Sequence, residues 1–163
     1  MGMLVVGISD LKIALPPDNL ITYALGSCVG ICLLDASTHV GGLAHIMLPE
    51  SRVAPADHNV AKFADTAIPE LIKQMEKRGA NRGRMKAKIA GGAKMFSVTG
   101  TGGNSAMWQI GERNVASVKA MLQKFSIPVM AQDVHLDYGR TVQFNPATGV
   151  MTVKAINKPT KEM

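Results

Sequence analysis

The sequence predicts an α+β fold in which helices cover a largely antiparallel or mixed β-sheet system. Three observations carry that reading. Short apolar runs bounded by turn residues fill both ends of the chain, and two segments switch to the three- and four-residue spacing of a helix face. Glycine is frequent, at 16 of 163 residues, while charged residues make up only 18%. A chain of this length with 47% hydrophobic residues can bury the core of one ordinary domain. Residues 1–163 are therefore expected to form a single unit, with 156–163 as a frayed polar tail.

In chain order, Leu11–Leu15, Leu20–Leu25, Val29–Leu34 and Val40–Leu48 are the first strands. Val60, Phe63, Ala64, Ala67, Ile68, Leu71, Ile72 and Met75 then recur at helical spacing, which makes 57–78 an amphipathic helix lying on a sheet. Pro69 falls inside it and has no N–H to donate, so a kink or two successive helices is expected. A strand at 86–90 ends at Gly91-Gly92. The loop V-T-G-T-G-G-N-S at 98–105 follows, and it matches neither of the glycine patterns that bind phosphate. A second helix at 113–125 carries Val115, Val118, Leu122 and Phe125 on one side and stops before Pro128. Strands at 129–134, 141–144 and 150–155 close the chain, the last two joined as a hairpin by N-P-A-T-G.

Several function classes are excluded or narrowed by composition. The N-terminus M-G-M-L-V-V-G-I-S-D lacks the features of a secretory signal, Val6 stands where a myristoylation signal needs Ser or Thr, and no apolar run is long enough to span a membrane. A cytoplasmic protein without membrane insertion is expected. The net charge of +6 is largely local: Lys73, Lys77, Arg78, Arg82, Arg84, Lys86 and Lys88 cluster around R-G-A-N-R-G-R. That segment reads either as a solvated helix end or as a docking patch for an acidic partner. Aromatic residues are only 4%, and no stacking platform accompanies the cations, so nucleic acid is not the expected partner.

Chemistry points to Cys28. In G-S-C-V-G, Gly26 and Gly30 flank it between two apolar runs, so the backbone bends where the thiol sits and amide N–H groups are exposed to a developing oxyanion. A thiol with an ordinary pKa near 8.5 needs a base. Of the four histidines, His45 in G-G-L-A-H-I-M-L-P is the one placed inside an apolar strand, where it faces either the core or a cleft. Residue chemistry alone leaves open a buried core cysteine and a hydrogen-bonded core histidine. A zinc site drawing on Cys28, Cys32, His39 and His45 is disfavoured, since residues four apart on a strand lie about 13 Å apart. No metal or other cofactor is expected, and the two cysteines read as free thiols.

Six segments together resemble the chemoreceptor glutamine deamidases of bacterial and archaeal chemotaxis. They are T-Y-A-L-G-S-C-V-G-I-C-L-L-D at 22–35, G-G-L-A-H-I-M-L-P at 41–49, K-F-A-D-T-A at 62–67, K-I-A-G-G-A-K-M-F at 88–96, I-G-E-R-N-V at 110–115 and D-Y-G-R-T-V at 137–142. The resemblance implies a β-sandwich flanked by helices like that of the cytotoxic necrotizing factor deamidases. It implies hydrolysis of glutamine side-chain amides in methyl-accepting receptors, with Cys28 as nucleophile, His45 as acid and base, Thr22 holding the imidazole, and Ser27 and Gly26 shaping the oxyanion site. The implied partners are receptor cytoplasmic domains and a chemotaxis phosphatase, which leaves a binding module as the alternative function. One departure is visible: His135 and Leu136 stand where the family commonly has a Gly-Gly pair, so the path of that loop is expected to differ.

Overall fold

The structure, a computed structural model, describes residues 2–94 and 109–163. The loop expected at 98–105 lies outside the described residues. Its centre is the pair β4 (Val29–Asp35) and β5 (Val40–Ile46), in which nearly every residue is buried. Both faces of these strands are apolar because both are covered. Val29, Ile31 and Leu33 point one way, into a core shared with α1 (Ala64–Lys77) and α2 (Ile110–Lys124); Cys32 and Leu34 point the other way, into a core shared with a second sheet.

The helix-covered sheet runs β2 (Asp10–Ala14), β5, β4, β6 (Met85–Gly91), β7 (Val129–Val134), with β7 parallel to β6 and the other pairs antiparallel. The facing sheet runs β1 (Met3–Val5), β3 (Asn19–Leu25), β8 (Arg140–Asn145), β9 (Val150–Lys154), β10 (Lys161–Glu162). The result is an α+β sandwich with two mixed sheets and the helices on one outer face. Each fully buried Leu or Ile of α1, such as Ile68 and Leu71, contributes roughly 1.5–3 kcal/mol to holding the helix on its sheet. Among the described residues, no helix is long and apolar enough to cross a membrane.

The structure departs from the sequence reading at several points, each with a local cause. The first helix starts at Ala64, not Asp57, because 57–62 is held in turns: Asp57 accepts from Asn59 N–H, Asn59 accepts from Ala61 N–H, and Lys62 pairs with Asp57 at 2.6 Å. Val60, expected on the apolar face, is therefore exposed. Pro69 neither divides nor ends α1, which runs unbroken from Ala64 to Lys77. The short β1 pairs in parallel with β3, a contact no local pattern announced. The expected polar tail instead returns as β10 on β9, with Lys161 Nζ 2.9 Å from Asp133 Oδ1 and Met163 packed against the inter-sheet core.

The loop at His135-Leu136 keeps a glycine-like path without glycine. Both residues have positive φ, at 67° and 62°. The loop is fixed there by three bonds: His135 N–H donates to Gly91 O at 2.9 Å, Lys94 N–H to Leu136 O at 2.8 Å, and Arg140 Nη2 to His135 O at 3.0 Å. A side chain in this conformation costs about 1–2 kcal/mol, and glycine's extra freedom when unfolded returns about half of that. Exposed Leu136 packs little, so Leu136→Gly is expected to stabilise the protein by about 0.5–1 kcal/mol in urea unfolding. A lower urea midpoint for the variant would contradict this account.

Candidate active site

The bend 26–28 leaves the facing sheet at the end of β3 and enters the helix-covered sheet at Val29, so Cys28 sits where the two sheets meet. Gly30 is the cross-strand partner of His45, and Cys32 that of Leu43. With alternation along each strand, Cys28, Gly30, Cys32, Leu43 and His45 share the face that looks toward the facing sheet. Opposite His45, Gly30 makes room for Leu25, whose Cδ1 would lie 3.1 Å from an added Cβ. Diagonal neighbours across such a ladder stand roughly 7 Å apart, a gap that a histidine ring can lean across.

Thr22 reaches His45 from β3 of the facing sheet. Its Oγ1 lies 2.7 Å from His45 Nδ1 and 2.7 Å from Val6 O, and all of Thr22 and His45 is buried. A hydroxyl has one proton, and a carbonyl can only accept. Thr22 therefore donates to Val6 O and accepts from Nδ1–H, which leaves the lone pair of the neutral ring on Nε2. That atom is buried and has no hydrogen-bond partner among the described residues, the Cys28 sulfur included.

Burial sets both protonation states. It lowers the His45 pKa from 6.5 to about 4, and it raises the Cys28 thiol above its ordinary value, with the Cys28 N–H facing its own sulfur as a smaller opposing effect. At neutral pH burial therefore favours the neutral thiol of Cys28 and the neutral imidazole of His45. The half-buried Cys28 also differs from Cys32, which is fully buried and driven higher still by desolvation, only partly offset by the Lys88 charge.

The His45 shift has a stability consequence. Its folded pKa of about 4 lies below the unfolded value of 6.5, so the unfolded chain binds more protons between these pH values. The neutral buried ring therefore has its full stability above pH 6.5, and that stability is lost as pH falls through about 4. The span corresponds to about 3 kcal/mol. Urea unfolding of the wild type is expected to show this slope between those pH values and His45→Gln to lack most of it; parallel curves would refute the linkage.

The Cys28 bend is held by its carbonyls. Gly26 O accepts from Ala93 N–H at 2.9 Å, Ser27 O from Asn114 Nδ2 at 2.9 Å, and Cys28 O from Gly92 N–H at 2.8 Å. The Gly91-Gly92 pair allows this approach. Both have positive φ, and an added Cβ would lie 2.2 Å from Cys28 O at Gly91 and 2.3 Å from Val115 Cγ2 at Gly92. With its carbonyls turned to these donors, the bend leaves the Ser27 and Cys28 N–H groups without an acceptor elsewhere among the described residues. The Gly26 N–H, by contrast, donates to Ala24 O at 3.0 Å.

The protein named Probable chemoreceptor glutamine deamidase CheD of Lachnoclostridium phytofermentans is 45% identical over 161 residues, covering 99% of this chain and 98% of that protein. The Chemoreceptor glutamine deamidase CheD of Halalkalibacterium halodurans is 45% identical over 159 residues, covering 97% and 96%. The Probable chemoreceptor glutamine deamidase CheD of Syntrophomonas wolfei is 50% identical over 151 residues, covering 93% and 92%. A family profile described as CheD chemotactic sensory transduction matches residues 47–155. The chain belongs to the CheD family.

In this CheD chain the profile match begins just after His45, whereas the alignment to the Lachnoclostridium protein, at 99% of the chain, takes in Thr22, Cys28 and His45. The exposed cations Lys73, Lys77, Arg78, Arg82 and Arg84 are not near this site. They gather at the other end of β4, where Arg84 forks onto buried Asp35 at 2.8 and 3.1 Å. Burial would raise that carboxyl, but Arg84 and the Asn81 and Ser37 amides hold it at about 2. Seven residue steps from Cys28 to Asp35 put this end about 23 Å from Cys28. His39 is at the same far end, in the turn before β5, so the four residues considered for a metal do not converge. Sequence reading missed Asn114, a fully buried polar residue on the apolar side of α2. An asparagine beside Val115 and Val118 on that stripe was the available signal.

Proposed function

We propose that this CheD family member is a chemoreceptor glutamine deamidase acting through Cys28, His45 and Thr22. The observation that supports the reading is the Thr22 hydroxyl, which donates to Val6 O and accepts from His45 Nδ1–H and so leaves the ring lone pair on Nε2. Nε2 takes the Cys28 proton as the sulfur attacks the glutamine side-chain amide carbon. Negative charge passes to the amide oxygen, where the Ser27 and Cys28 N–H groups can stabilise it. The C–N bond then breaks, and the proton on Nε2 goes to the leaving nitrogen, releasing ammonia and leaving a thioester on Cys28. A water molecule, deprotonated by Nε2, adds to the thioester; the C–S bond breaks, giving glutamate and the free thiol. Each step conserves atoms and uses no cofactor.

The test is direct. A receptor cytoplasmic fragment is incubated with wild type or with Cys28→Ala, and glutamine and glutamate are quantified in its peptides by mass spectrometry. Conversion by wild type and none by the variant is expected; equal conversion by both would sink the reading.

A further inference from the structure

We propose that Met47 and Leu136 are specificity-determining side chains that flank Cys28 and select a glutamine carried between apolar side chains of the receptor. The inference deepens the deamidase reading and rests on it for the identity of the substrate.

Both residues stand at the Cys28 end of the helix-covered sheet, on opposite sides of the bend. On the β5 side the ladder pairs Gly30 with His45 and Val29 with Ile46, so the next two positions are Cys28 and Met47. Cys28 O accepts from Gly92 N–H on the β6 side, and Met47 N–H donates to Lys62 O away from β4. The two therefore face each other without a main-chain bond, the arrangement in which opposing side chains of an antiparallel pair come closest. The segments stay together past the last rung, because a single atom, Asn114 Nδ2, donates to both Ser27 O and Met47 O. On the other side, His135 N–H donates to Gly91 O and Lys94 N–H to Leu136 O, which seats the 135–136 loop beside the end of β6. Two strand spacings, about 10 Å, then separate Leu136 from Cys28.

These flanks are apolar and open to solvent, Met47 at 42% exposure and Leu136 at 57%. Leu136 is the more informative of the two. At a φ of 62° a leucine is strained, and a side chain this exposed offsets little of that strain by packing within the fold. A contact made outside the fold accounts for keeping it, and glycine at this position could not make that contact. Charge does not substitute for these flanks, since Arg84 and the cations around it gather at the Asp35 end of β4, about 23 Å from Cys28. A partner that presents a glutamine to Cys28 therefore meets Met47 on one side and Leu136 on the other. The segment that fits carries apolar side chains on both sides of its glutamine.

The experiment follows deamidation of a receptor cytoplasmic fragment by wild type, Leu136→Gly, Leu136→Met and Met47→Ser, with alkylation of Cys28 by iodoacetamide as a measure of the thiol itself. Leu136→Gly, expected to be the more stable protein, should raise KM about tenfold with kcat within about threefold, the size of leaving the exposed part of one leucine uncovered. Alkylation should stay within about threefold of wild type. Leu136→Met keeps an apolar side chain and should restore KM to within about threefold; Met47→Ser should raise it about fivefold. Unchanged KM in both Leu136→Gly and Met47→Ser overturns the proposal and leaves the deamidase reading standing. If wild type and Cys28→Ala convert glutamine equally, the deamidase reading fails instead, and binding of the fragment decides the flanks: a Kd about tenfold weaker for Cys28→Ala with Leu136→Gly than for Cys28→Ala alone upholds them, and equal values overturn them. A wild type that sediments as a dimer beside a monomeric Leu136→Gly would assign the flanks to a second copy of the chain and overturn the receptor assignment.

Discussion

His45→Ala is expected to slow deamidation about 10³-fold with little change in KM. The size follows from the protonation states. Burial raises the Cys28 thiol above its ordinary value, which favours the protonated form at neutral pH, and among the described residues no cation offsets this. The base must therefore accept the proton during attack and return it to the leaving nitrogen, a double duty that general acid–base catalysis supplies at about 10²–10⁴. Because Nε2 is already neutral above pH 4, activity should be level through neutral pH and fall only as pH drops through about 4. Thr22→Val removes the acceptor that holds Nδ1–H and is expected to cost less, about 10- to 100-fold, since the base remains but its orientation is free. Retention of more than a third of wild-type kcat by His45→Ala would rule out the imidazole as base.

Much of this site was legible in the residues, and the unread part has a common cause. Cys28 on a glycine-flanked bend and His45 in an apolar strand are local patterns, and local patterns survive folding. The register that stands Gly30 opposite His45 is set by the short connection between β4 and β5, which alternation alone does not specify. Thr22 as a histidine partner came from the family resemblance and not from its own surroundings in the sequence, because the contact joins two sheets across 23 positions. The strands and helices themselves were found to within a few residues except where side chains cap the backbone, as at Asp57–Asn59, or where a strand is too short to carry an alternating pattern, as for β1 and β10. Asn114 illustrates the limit. Its type marked it as unusual on an apolar stripe, but its two carbonyl partners come from loops 67 and 87 positions away.

Arg140→Ala is expected to destabilise the fold by about 3–5 kcal/mol, the largest single-site loss outside the hydrophobic core. Arg140 has no exposed side-chain surface, and its Nε lies 3.0 Å from Asp133 Oδ2. Burial would raise the Asp133 carboxyl, yet hydrogen bonds from Lys161 and Arg140 outweigh it and hold the pKa below its ordinary value. Truncation leaves that carboxylate with Lys161 alone, strips His135 O and Tyr138 O of their donor, and removes the guanidinium from under the Tyr138 ring at 4.5 Å. Arg140→Lys retains the charge but cannot span Asp133 and both carbonyls, so it should recover only part of the loss. Replacing both partners, as Arg140→Met with Asp133→Leu, should cost less than Arg140→Ala alone, because no charge is then left buried without its partner. The loss should also reach the site through a defined chain of bonds. Arg140 holds His135 O, the His135 and Leu136 loop is bonded to Gly91 and Lys94, and the segment between them supplies the Gly92 and Ala93 amides that fix the Cys28 bend. Arg140→Ala in low urea, where it remains folded, is therefore expected to lower kcat as well as stability. A variant with wild-type kcat and a large stability loss would confine Arg140 to the scaffold.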